Sequence, residues 1–173
     1  MDIRKQIKRI TFCALIIAIG LVLPQLFHTI GGQTAGTMFL PLHIPALIAG
    51  LLLGPLEGSM VGLFLPFLSS LLTGMPPALR LPFMMVELCG YGLIGGILMK
   101  KSKNVFLSLL IAQIGGRMVY GLSLIVAINI LKIPAPPLAG FLTGITSGWP
   151  GLLIQWILIP LLVQLLRGRI HYE

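Results

Sequence analysis

The chain holds 173 residues, of which 57% are hydrophobic and only 9% charged, with a formal net charge of +8. An ordinary soluble domain carries about 25% charged residues, so a water-covered surface is excluded and an integral membrane protein is implied. The excess positive charge does not indicate a nucleic-acid partner, because the basic residues sit in the termini and connections, where they orient a protein in a bilayer.

Arg4, Lys5, Lys8 and Arg9 lead into a first apolar span at about 10–29. It has no small-x-small cleavage site, and Phe12 precedes Cys13, so it reads as a retained span and not as a leader. Gly31 to Thr37 is polar and Gly-rich, which predicts a loop. A short second span at about 40–54 opens on Pro41 and Pro45, and Gly54 to Gly58 is a turn. The third, at about 58–73, carries Pro66 and ends at a second turn, Gly74-Met75-Pro76-Pro77. A fourth span at about 80–99 ends in Lys100, Lys101 and Lys103, and a fifth runs at about 104–131. Pro134, Pro136 and Pro137 stiffen the next loop, and a sixth span at about 140–166 begins near Trp149 and Pro150.

The expected architecture is therefore a single all-α domain over 1–173, a bundle of six transmembrane helices with both termini cytoplasmic. That arrangement puts nine Lys/Arg on the cytoplasmic side, Arg167 and Arg169 among them, and only Arg80 and Lys132 opposite. Cys13 and Cys89 both fall in apolar segments and imply no disulfide framework.

Glu87 and Arg117 alone carry charge deep inside the spans. An ionised group at bilayer depth costs roughly 2.5–3.5 kcal/mol on insertion scales, so such residues pair, line a cavity or bind something. Glu87 stands 13 residues before Lys100 and Arg117 stands 13 after Asn104. At a rise of about 1.5 Å per residue both lie roughly 20 Å from the cytoplasmic boundary, level with each other. Tyr91 follows Glu87 by one helical turn, and Gln113 and Tyr120 flank Arg117, giving each helix a polar stripe. Either the pair fixes helix packing alone, or it lines a pocket in which Arg117 meets an acceptor or anion and Glu87 a donor or cation.

His43, in Leu40-Pro41-Leu42-His43-Ile44-Pro45, is either an interfacial residue at a helix start or a ligand contact. Trp149 reads as an aromatic anchor or a stacking platform, and Arg80 as an outer boundary that can reach the same mouth. The three histidines lack metal-ligand spacing, and no cofactor is expected. Ala14 and Ala18 form a small-xxx-small pair, as do Gly58/Gly62 and Gly92/Gly96, so the spacing alone is a weak signal. Nucleophile elbow, HExxH, paired acidic motif and P-loop are all missing, which argues against an enzyme.

These strings together resemble the substrate-binding S components of energy-coupling factor (ECF) vitamin transporters: Leu40 to Pro45, Leu52 to Gly58, Gly74 to Pro77, Glu87 to Gly92 and Gly116 to Gly121. The resemblance covers essentially the whole chain. It implies binding of a water-soluble vitamin or precursor, such as pyridoxine, pantothenate, a pyrimidine precursor or a corrinoid base, near the extracellular side of a prokaryotic plasma membrane. It implies lids at about 30–40, 74–80 and 132–139. It also implies docking, through Ala14 and Ala18, on a membrane scaffold subunit driven by two ATPase subunits. Two other readings stay open: a stand-alone carrier driven by an ion gradient, with Glu87 titrating, and an assembly protein in which the charge pair serves folding alone.

Overall fold

The computed structural model describes residues 3–167, so Arg169 and His171 lie outside the described residues. Those residues form seven α-helices and no strand: α1 (Ile3–Phe39), α2 (His43–Leu53), α3 (Pro55–Thr73), α4 (Leu81–Ser102), α5 (Val105–Ile125), α6 (Leu138–Ser147) and α7 (Trp149–Arg167). A π-helical stretch, Val126–Leu131, prolongs α5. Among the described residues, five segments are long and apolar enough to cross a membrane: Gln6–Phe27, Pro55–Thr73, Leu81–Ser102, Val105–Leu131 and Trp149–Arg167.

The second expected span is of another kind. The 11 residues of α2 rise about 16 Å, roughly half a hydrocarbon core. Nine of them are buried, and the helix packs against α1, α3, α4, α5 and α7. A helix enclosed on all sides is apolar all round, which is how its sequence reads.

Glycine builds the tightest crossing. A Cβ on Gly62 would run into the Leu88 carbonyl, and one on Gly92 into the Gly58 backbone. Gly50 of α2 meets Gly92 at the same place. Without side chains the α2, α3 and α4 backbones touch, and lipid-excluded packing replaces the hydrophobic drive that membranes lack. The Gly58/Gly62 and Gly92/Gly96 spacings are thus the seam of α3 on α4.

Two boundaries differ from expectation. The polar stretch after the first span is not a loop throughout: the chain breaks at Gly31 and Gly32, the latter at φ 60° and ψ −152°, then resumes helix to Phe39. That backbone angle suits glycine, and the Phe27 and Phe39 rings stack 5.0 Å apart, so the resumed helix folds back beside the first. The sixth span is two helices. The chain breaks at Gly148, where α6 stops and α7 begins, and a Cβ there would meet the Gly144 carbonyl and Leu40.

Candidate solute-binding site

A cavity of about 480 Å³ opens where α1, α2, α4, α5 and α6 converge. Its floor is Glu87 on α4 and Arg117 on α5, with Arg117 Nη1 donating to Glu87 Oε1 at 3.0 Å. The two residues thus meet across α4 and α5, and the pair both bonds directly and lines the hollow.

Glu87 is held from several sides. The Tyr91 hydroxyl, one turn along α4, donates to the same Oε1 at 3.1 Å. Tyr91 is 2% exposed, and its ring fills the space a side chain on Gly116 would take. His43 meets the Tyr91 ring edge-on with centroids 5.3 Å apart, and its Nε2 stands 3.7 Å from Glu87 Oε1, beyond hydrogen-bond length. Three groups therefore crowd one carboxylate oxygen, while no hydrogen bond from the described residues reaches Oε2. Neither ring nitrogen of His43 has a hydrogen-bond partner, although the residue is 3% exposed. Buried polar groups are ordinarily satisfied; here both nitrogens are enclosed, and Nε2 has the Glu87 carboxylate as a charged neighbour at 3.7 Å.

The walls are set by backbone features. Ser69 and Ser70 at the end of α3 donate to the carbonyls of Met75 and Pro76, at 2.8 and 2.9 Å. Gly74 closes the helix in the left-handed conformation, at φ 72°. These bonds set Met75, Pro76 and Pro77 along the cavity, and Arg80 follows at its exposed rim. Tyr120 stacks on Phe141 with centroids 6.0 Å apart, which docks α6 on α5. Gly140, Thr143, Gly144 and Ser147 of α6 complete the enclosure, and Gly144 leaves room for Arg117 beneath it. Leu40, Pro41, Leu42 and Pro24 supply apolar wall, and Met84 lies on α4 between Arg80 and Glu87.

Of the residues singled out from sequence, Glu87, Arg117, His43, Tyr120 and Arg80 line the cavity and Tyr91 braces Glu87 from behind. Gln113 and Trp149 do not line it. Gln113 points at α7, where its Nε2 donates to Gln155 at 2.9 Å and its Oε1 accepts from Trp156 Nε1 at 2.7 Å. Four residues toward the N-terminal end of α5 is about 6 Å below Arg117, under the floor. Trp149 is 60% exposed at the start of α7, in the manner of an interfacial anchor. On this side the cavity is lined by Gly140, Thr143, Gly144 and Ser147 and by no residue of 132–139. Sequence reasoning missed Thr143 and Ser147; their four-residue spacing, shared with Gly140 and Gly144, was the available signal. Among the described residues no three His, Cys, Asp or Glu side chains converge on one point.

The Ala14 and Ala18 side chains are exposed on α1, on a face that also shows Ile7, Ile10 and Val22. At the same end, Arg9 Nη2 donates to the Leu53 carbonyl and to Glu57 Oε1, both at 2.8 Å, and so ties α1 to the α2–α3 turn.

Fold and cavity together define a class: a small helical membrane protein built round a chamber of solute size with charged residues in a largely apolar wall. The chain belongs to the family of substrate-specific components of ECF transporters, whose family model matches residues 8–167. Comparison with curated proteins, and with solved structures, found no match. Membership makes the chain a substrate-binding transport subunit, not an enzyme, that works in association with an ECF module of scaffold and ATPases.

Proposed function

We propose that this chain captures a water-soluble vitamin or vitamin precursor from the extracellular side in the Glu87–Arg117 cavity and delivers it through the ATP-driven complex. In this reading the chain crosses a prokaryotic plasma membrane six times, with α2 as the short second crossing and both termini in the cytoplasm. The excess of Lys and Arg in the termini and in the 100–103 connection supports that orientation. The outward face of α1, with Ala14 and Ala18, is the surface offered to the scaffold subunit. Arg117, Glu87 and His43 hold the polar head of the solute, with Tyr120 and Arg80 nearer the rim and Tyr91 fixing Glu87.

The observation that carries this is the state of the floor: Glu87, a buried residue lining a hollow of about 480 Å³, has an Oε2 that accepts no hydrogen bond from the described residues, and the His43 ring beside it makes none either. A pair serving packing alone would close that space. Purified protein exposed to a panel of vitamins is expected to show a thermal shift with one member. Uptake of that compound by cells bearing the whole complex should be lost in Glu87→Gln and Arg117→Ala. If no member shifts the protein and both variants support uptake like wild type, the proposal fails.

A further inference from the structure

We infer that the cavity takes a bipartite monoanion, with an uncharged hydrogen-bonding head on the floor and an anionic group at the rim seated on Arg80, roughly 10 Å away along α4. This rests on the solute-binding reading above and adds the chemical class of the solute.

The charges of the lining decide it. Two arginines and one glutamate line the cavity, so with the imidazole counted neutral one positive charge is left over. It is not on the floor, where Arg117 bonds Glu87 at 3.0 Å. A free carboxylate or phosphate placed there would compete with Glu87 for Arg117 and face the Glu87 charge at close range, which a low-dielectric site penalises. A cationic head would similarly meet Arg117. The floor suits a neutral group that donates an N–H or O–H to Glu87 Oε2, beside the His43 ring, which makes no hydrogen bond of its own and holds Nε2 3.7 Å from Glu87 Oε1. Such a site rejects analogues lacking the donor, because its buried acceptor is then left unpaired.

Arg80 is the uncompensated charge. It lines the same cavity, is exposed, and no acidic side chain among the described residues pairs with it. It precedes Glu87 by seven residues, two turns of α4, so both project from one face with a separation of roughly 10 Å along the axis. Met84, between them, and the prolines at 76 and 77 give the stretch from rim to floor an apolar side. The solute is thus polar at both ends, charged at one, and less polar between.

The test is isothermal titration of wild type and variants in lipid nanodiscs with matched probes: pantothenate against pantothenol, biotin against biotinamide, and lipoate, which has the anion but no donor head. At least one acid with a donor head is expected to bind at least tenfold more tightly than its neutral partner, and lipoate to bind more weakly than that acid. In Arg80→Gln the acid should fall to the affinity of its neutral partner, with Arg80→Lys recovering most of the difference. In Glu87→Gln both partners should weaken. If a neutral probe binds as tightly as its acid, or Arg80→Gln leaves the preference intact, the class is wrong while an Oε2-dependent loss in Glu87→Gln upholds solute binding. If none of these probes binds while another vitamin of the panel shifts the protein thermally, the class falls and the solute-binding reading stands.

Discussion

The Tyr91 ring lies against the bare backbone of Gly116, with Cδ1 2.6 Å from where a Cβ would stand, and from there its hydroxyl reaches Glu87. One missing side chain on α5 thereby sets the position of a carboxylate on α4. Two substitutions separate the parts of this contact. Tyr91→Phe removes only the hydroxyl, a donor to a charged carboxylate, and is expected to cost about 1.5–3 kcal/mol of stability. Gly116→Val displaces the ring itself and should cost about 1–3 kcal/mol through overpacking, with a larger loss of solute affinity than Tyr91→Phe. Thermal unfolding in detergent and titration with the bound vitamin measure the two effects; equal affinities for both variants would contradict the arrangement.

The Glu87–Arg117 pair gives a sharper discrimination between folding and binding. Their side chains are 4% and 19% exposed, so removing one partner strands a largely buried charge. Glu87→Ala or Arg117→Ala should therefore destabilise by about 3–5 kcal/mol, and the double variant by less than the sum. The exchanged pair, Glu87→Arg with Arg117→Glu, should recover much of the stability yet fail in uptake, because His43 and Tyr91 then face the wrong charge. Normal uptake by the exchanged protein would reduce the pair to a packing device.

Much of this floor was legible before any coordinates. Equal counts of residues from the two sides of the 100–104 connection place Glu87 and Arg117 at one level, since helical rise is fixed and the helices are antiparallel neighbours. His43 and Arg80 needed the structure, because a position at a helix start says nothing of which way the chain enters it. The errors have one physical source. Spacing along a helix identifies neighbours on its surface, but not what lies opposite, so Gln113 was grouped with Arg117 although it faces α7. The break at Gly148 was hidden for a related reason: the apolar run continues through it, and only the approach of Leu40 and the Gly144 carbonyl demands glycine there.

At the other end of the bundle, Arg9 should act as the anchor of α1. Its guanidinium bonds both a carbonyl that ends α2 and the carboxylate of Glu57 in the first turn of α3. Hydrogen bonds to charged groups contribute about 1.5–3 kcal/mol, so Arg9→Ala is expected to lower stability by about that amount. Hydrogen exchange should rise in the first turns of α1 and in the α2–α3 turn, while solute affinity stays within twofold, because the cavity lies at the opposite end of α4. Unchanged exchange in α1 would show that lipid and packing alone hold it.

Gln113 supplies the complementary control, a polar residue one turn from Arg117 that the geometry removes from solute binding. Its two polar groups are taken by Gln155 and Trp156 on α7, and Gln155 is 1% exposed. Interhelical hydrogen bonds in membranes average about 0.6 kcal/mol and reach about 1.7, so Gln113→Leu should destabilise by about 1 kcal/mol once the orphaned Gln155 and Trp156 groups are included. Replacing Gln113 and Gln155 together by Leu removes the acceptor and donor at once, and should be less harmful than the two single effects added. Affinity for the solute should be unchanged in both proteins, since neither glutamine borders the cavity. Trp149→Ala, at an exposed position on the same helix, is likewise expected to leave affinity intact. Loss of binding in Gln113→Leu without loss of stability would mean that the floor of the site reaches a full turn deeper than Arg117.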